Sequence, residues 1–224
     1  MFSDPAAVAR YAEGPVRLVP GLHDLQKMTG LLLAERAGPQ AKLLILGAGG
    51  GLELKVFAQT YPEWTFVGID PSAEMLALAT KTVGDFAARI DLHQGYIDSA
   101  PDGPFDGATC LLTLHFVPRD ERINTLKQLY KRLKPGAPLV IAHHSFPQAE
   151  EQKNLWLGRF AAFAMSNGIA PEMAQNAATG IAAQLPVVSP DQDEADLRAA
   201  GFTDVSLFYA AFSFRGWVAY APEP

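Results

Sequence analysis

Residues 43–54 read LLILGAGGGLEL, and residues 65–72 read TFVGIDPS. An apolar run meets a glycine cluster, a helical stretch follows, and a second apolar run ends on an acid. This order describes a nucleoside pocket at the edge of a sheet. Glycines at 47, 49 and 51 allow a sharp bend and let the main chain lie against a ligand, because no Cβ intrudes. The helix that follows presents its N-terminal N–H groups to the same place. Asp70 comes 19 residues after Gly51, where a carboxylate can accept hydrogen bonds from both ribose hydroxyls.

The glycine spacing selects among nucleosides. A dinucleotide turn is G-x-G-x-x-G, its third glycine serving close helix packing. Counted from Gly47, that position is Leu52; counted from Gly49, it is Leu54. The glycines fall instead as G-x-G-x-G, which resembles motif I of the class I methyltransferases that use S-adenosylmethionine (SAM). A nicotinamide-dependent reductase is the reading this spacing disfavours.

The surrounding chain alternates strand and helix. Residues 24–37 read as a helix closed by Gly38-Pro39. Strands are expected at 42–46, 65–69, 89–93, 106–114 and 137–143, with helices at 52–60, 73–82 and 119–133. Ser72 and Ser189 are N-cap candidates. Residues 146–188 break the rhythm with alanine-rich helix carrying Trp156, Phe160 and Phe163 on one stripe, expected to be core. Residues 190–200 form a further helix. Two strands, 204–210 and 213–220, are joined too tightly for a crossover helix, so they pair antiparallel. The expected architecture is α/β and Rossmann-like: a twisted parallel sheet, helices on both faces, and an antiparallel C-terminal edge hairpin. One domain, 1–224, is expected, with 1–38 as a helical lid over the cofactor and 146–188 as an insertion over the active site.

Composition narrows the classes further. The chain has 224 residues, 49% hydrophobic and 19% charged, with net charge −6. No basic footprint for nucleic acid is present, and no apolar run approaches the roughly 20 residues of a membrane span. The N-terminal stretch does not read as a signal peptide. The single cysteine, Cys110, fits a reducing, cytoplasmic compartment.

A closer resemblance covers nearly the whole chain. The segments RLVPGLHDLQKMTGLLLAE (17–35), RLKPGAPLVI (132–141) and AGFTDVSLFYAAFSF (200–214) resemble the bacterial enzymes that make carboxy-S-adenosylmethionine for tRNA wobble-uridine modification. That resemblance implies Gly47, Ala48 and Gly49 as the cofactor cradle, to which the glycine turn itself adds Gly51. It implies Asp70 and Pro71 at the ribose, and Tyr96 and Ile97 at the adenine, with Asp98 reaching round. Leu111 stands where the family has asparagine, and Leu22 where it has tyrosine. Asp196 falls where the family places an arginine for the extra carboxylate, which would favour ordinary SAM. The resemblance also implies a possible homodimer.

Several residues carry open readings. Ile45 replaces the acid usual two residues before the first glycine; Glu53 is either its substitute or a surface residue favoured by the helix dipole. His115, just past the fourth strand, is either a group that orients or deprotonates an acceptor or a histidine bonded to backbone. His143 and His144 are adjacent on a strand and point to opposite faces, so no metal site is expected. Tyr11, Arg17 and His23 lie on the lid. The functional expectation is a SAM-dependent methyltransferase acting on a small or medium-sized acceptor. The alternatives are a carboxy-SAM synthase and a SAM-binding partner protein without turnover.

Overall fold

Gly47 directly follows the first strand, which lies in the middle of the sheet where the order of strands reverses. The computed structural model describes residues 14–223. Seven strands form one sheet: β1 (Lys42–Leu46), β2 (Thr65–Asp70), β3 (Ile90–Gln94), β4 (Gly107–Leu111), β5 (Pro138–His144), β6 (Thr203–Ala211) and β7 (Phe214–Tyr220). Their order is β3-β2-β1-β4-β5-β7-β6. The first five pair in parallel, and β7 is antiparallel to both β5 and β6. Strand order reverses between β1 and β4, and ligands of open α/β sheets bind at such a switch point, beyond the strands' C-terminal ends.

The helices are α1 (Gly14–Leu18), α2 (Leu22–Ala34), α3 (Leu52–Thr60), α4 (Ala73–Val83), α5 (Arg119–Arg132), α6 (Glu150–Ser166), α7 (Pro171–Gln184) and α8 (Pro190–Ala199). The side-chain period of two along β1 divides the core. Leu43 and Ile45 join Leu33, Leu54 and Phe57 on the α2–α3 face. Leu44 and Leu46 join Leu126, Leu129 and Leu197 on the α5–α8 face. A third cluster, with Leu25, Ala142, Phe160, Ala178 and Phe214, knits α1, α2, α6 and α7 to the end of the sheet.

The two serine caps are present: Ser72 Oγ accepts from the Met75 amide, and Ser189 Oγ from the Gln192 amide. Strand β4 is shorter than its apolar run suggests. It ends at Leu111, and Leu112 takes a positive φ of 55°. The chain leaves the sheet there so that Thr113 can pack against Gly47, where a Cβ would overlap the threonine side chain. Among the described residues, no helix is long and apolar enough to cross a membrane.

Candidate active site

The bend after β1 is shaped by its own hydrogen bonds. The Gly47 and Ala48 amides donate to the Ile69 carbonyl (2.8 and 3.0 Å), and the Gly50 amide donates to the Met75 carbonyl (3.1 Å). The Gly49 amide donates to Asp70 Oδ2 at 3.0 Å. These N–H groups are therefore engaged within the protein, and the bend acts as a surface of fixed shape more than as a row of donors. Gly47 adopts a φ of +83°, a region L side chains rarely occupy. A Cβ at Gly49 would collide with the Asp70 carboxylate and Met75.

Asp70 ends β2 with both oxygens held, Oδ2 by the Gly49 amide and Oδ1 by the Ser72 amide at 2.9 Å. Burial raises its carboxyl pKa, and the two amides offset part of that rise. Each oxygen retains acceptor capacity for a ligand hydroxyl.

A cavity of about 840 Å³ opens over this bend. Gly47, Ala48, Gly49, Asp70, Pro71, Tyr96, Ile97 and Leu111 all line it. Asp98, Glu53 and Thr113 join them, with Leu22 and Gln26 from α2 and Gln184 and Leu185 from the end of α7. Tyr96 is 70% exposed at the rim, while Ile97 is buried. Gly51 stands back from the cavity. It is the N-cap of α3, and a Cβ there would press on the backbone of Ala79 in α4, so it serves helix packing.

The structure corrects several expectations. Asp196 does not line the cavity. It is buried on α8, where Gln192 donates to it and Arg122 Nε lies 3.6 Å away. Its position in the sequence suggested a cofactor contact, but α8 packs on the α5 side of the sheet, below β5. Glu53 is not a surface residue. Its carboxyl is buried, accepts from Thr109 Oγ1 at 2.8 Å, and is raised by burial to about 8. The lid face is formed by Pro15, Leu22 and Gln26. Arg17 and His23 are exposed and do not line it, and Tyr11 lies outside the described residues. Of the aromatic stripe, Phe160 is buried, whereas Trp156 is half-buried between the guanidinium groups of Arg159 and Arg215 (4.5 and 4.9 Å).

The three histidines separate as the strand pleat requires. His143 turns toward α5 and α8, where Asp193 bridges it to Arg122. Burial pushes the Asp193 carboxyl up, but the nearby His143 and Arg122 outweigh it, so its pKa lies below the usual value. Arg122 Nη1 also donates to the Leu114 carbonyl (3.0 Å), tying this cluster to the Leu114–Phe116 turn. Sequence reasoning missed the cluster; Arg122, at helical spacing from Leu126 and Leu129 on α5, was the trace that could have found it. His144 turns the other way, with Nδ1 3.0 Å from Ser213 Oγ. His115 Nδ1 accepts from the His144 amide at 3.1 Å, which realises its backbone-bonded reading.

Comparison with known proteins places this geometry. Residues 43–136 match the model of a methyltransferase domain. A carboxy-S-adenosyl-L-methionine synthase of Chromohalobacter salexigens is 29% identical over 97% of this chain and 82% of its own. A trans-aconitate 2-methyltransferase of Deinococcus radiodurans is 29% identical over 62% of this chain and 55% of its own. An O-methyltransferase family protein of Burkholderia thailandensis superposes with a TM-score of 0.70 at 17% identity, covering 99% of this chain and 61% of that one. The fold and these matches are those of class I SAM-dependent methyltransferases. Within that class, the chain is similar to the carboxy-S-adenosylmethionine synthases over nearly its whole length.

Proposed function

We propose that the cavity over Gly47–Gly49 holds SAM, and that the protein methylates a small or medium-sized acceptor enclosed by the N-terminal helices and the 146–188 insertion. The carrying observation is the Asp70 carboxylate. Two main-chain amides fix it at the cavity wall, beside a glycine with no room for a side chain. Asp70 accepts from the ribose hydroxyls, with Pro71 beside it. Ile97 packs on the adenine, and Tyr96 and Asp98 border it. Leu111 flanks the methionine end. Bound here, SAM supplies a methyl group already activated by its sulfonium, so placement of the nucleophile does most of the catalytic work.

Glu53 takes the role of the acid missing at Ile45. Ile45 and Thr109 are register partners on β1 and β4 and point to one face. The Glu53 carboxyl reaches that rung from α3 through its bond to Thr109.

Charge favours SAM over its carboxylated form. Among the described residues lining the cavity there is no Lys or Arg, whereas Glu53, Asp70, Asp98 and Glu121 are present. These acids suit a cationic cofactor, and an added carboxylate finds no counter-ion there. Mass spectrometry of the copurified ligand is expected to give the uncarboxylated mass; a carboxylated adduct overturns this choice and favours the synthase reading. Asp70→Ala is expected to weaken SAM binding by about 2 kcal/mol, the scale of hydrogen bonds to a charged group. Calorimetry showing unchanged affinity removes the ribose assignment. The buried, free Cys110 is in keeping with a cytoplasmic setting.

A further inference from the structure

A second cavity, of about 430 Å³, adjoins the first. Pro15, Leu112, Phe116, Gln184 and Leu185 line both, so the two meet at a shared wall. The second is built differently. Its lining includes Phe160, Ile181, Phe214 and the two histidines His115 and His144, and among the described residues it contains no carboxylate, lysine or arginine. Phe214 stacks on the His144 ring (centroids 4.0 Å apart, planes at 27°), and Phe160 meets that ring edge-on at 5.5 Å.

Both histidines are uncharged. His115 Nδ1 accepts a main-chain N–H, so the ring proton resides on Nε2. Burial, with His144, His143 and Arg122 nearby, holds the His115 pKa well below its usual value. Burial and His143 lower that of His144 to about 3. His115 Nε2–H has no hydrogen-bond partner among the described residues, and it belongs to a residue that lines the cavity. As Nε2 already carries the proton, His115 can donate to a ligand there but cannot accept a proton at that atom.

We propose that this second cavity is the acceptor compartment, and that it takes an uncharged, largely apolar ring compound whose oxygen or nitrogen accepts a hydrogen bond from His115 Nε2–H. The aromatic walls suit a flat ring. A carboxylate here would lose its hydration without gaining a cation, which is strongly unfavourable. The assignment of the cavity as an acceptor site rests on the reading of its neighbour as the SAM site.

The test uses four probes and two variants. S-adenosylhomocysteine, measured by calorimetry, reports on the first cavity alone. In its presence, 1-naphthol, naphthalene and 1-naphthoate are titrated by ligand-observed NMR. Naphthol is expected to bind at least about tenfold more tightly than naphthoate. Gly180 is on α7 and lines the second cavity, with open space where its Cβ would stand. Gly180→Phe is expected to abolish naphthol binding and leave S-adenosylhomocysteine affinity unchanged. His115→Phe is expected to weaken naphthol about fivefold, one hydrogen bond's worth, and leave naphthalene unaffected. Naphthoate binding as well as naphthol, or naphthol binding that survives Gly180→Phe, overturns the compartment. Equal losses for naphthol and naphthalene in His115→Phe overturn the hydrogen bond. Failure of S-adenosylhomocysteine to bind the wild type overturns the cofactor reading and the acceptor assignment with it, whereas loss of naphthol selectivity with S-adenosylhomocysteine still bound overturns the second cavity's role alone.

Discussion

The two adjoining cavities are made from different kinds of structure. The floor of the larger, where the cofactor would rest, is main chain and acids from a few turns at strand ends, residues 46–49, 70–72, 95–98 and 111–113, with α2, α5 and the end of α7 adding the outer walls. The smaller is walled mostly by apolar and aromatic side chains gathered from α1, α6, α7, β5, β7 and the turn after β4. A site of the first kind is local. Its shape follows from where strands end and where glycine is required. A site of the second kind is assembled only when distant helices pack, so its chemistry depends on the whole fold.

That contrast is open to test, beginning with the largest effect. The Arg122–Asp193–His143 cluster lies under β5 and holds the Leu114–Phe116 turn, which contributes to both cavities. Asp193→Ala removes the nearest carboxylate of a buried guanidinium, leaving it Asp196 at 3.6 Å and the Leu114 carbonyl, and is expected to cost about 3 kcal/mol of stability. If the cofactor cavity is local, S-adenosylhomocysteine affinity in the folded variant changes by no more than about twofold, a change too small to involve a hydrogen bond. Denaturant unfolding and calorimetry read the two quantities. A parallel collapse of affinity would erase the distinction between a local and an assembled site.

A smaller effect sharpens the comparison from the cofactor side. Burial raises Glu53 to about 8, so in the free protein it is largely protonated at neutral pH. The sign follows from linkage. A folded-state pKa above the unfolded value of 4.5 means that stability falls as pH rises from there to about 8. A cationic ligand favours the carboxylate, so SAM binding expels a proton and tightens as pH rises. Wild-type affinity is expected to increase by about three- to tenfold between about pH 6.5 and 8.5, and Glu53→Gln is expected to flatten that profile. Calorimetry in buffers of different ionisation enthalpy detects the proton. A flat wild-type profile breaks the link between Glu53 and the cofactor's charge.

The same division explains how much was legible beforehand. The GAGGG bend, the acid at the end of β2 and the β–α alternation follow from local rules of glycine conformation, strand period and helix capping. Each expected strand accordingly overlaps an observed one. The early end of β4 was hidden, because a continuous apolar run carries no sign of the turn at Leu112. Asp196 was misplaced because position along α8 does not tell which side of the sheet the helix will cover. Glu53 kept two readings because a glutamate in a helix's first turn usually faces solvent. Here α3 packs so that the residue is driven onto the β1–β4 rung, against Thr109.

The order of these 224 residues was enough to determine the strands, the closing antiparallel hairpin and the carboxylate beside the glycine bend, since each is encoded within a short stretch of chain. Tertiary packing alone decided which histidine meets a charge cluster and which meets an apolar chamber. It also decided that a buried glutamate stands where a strand acid is missing. Those outcomes depend on helices separated by many residues closing over the same sheet edge, and burial of that kind is a property of the assembled core.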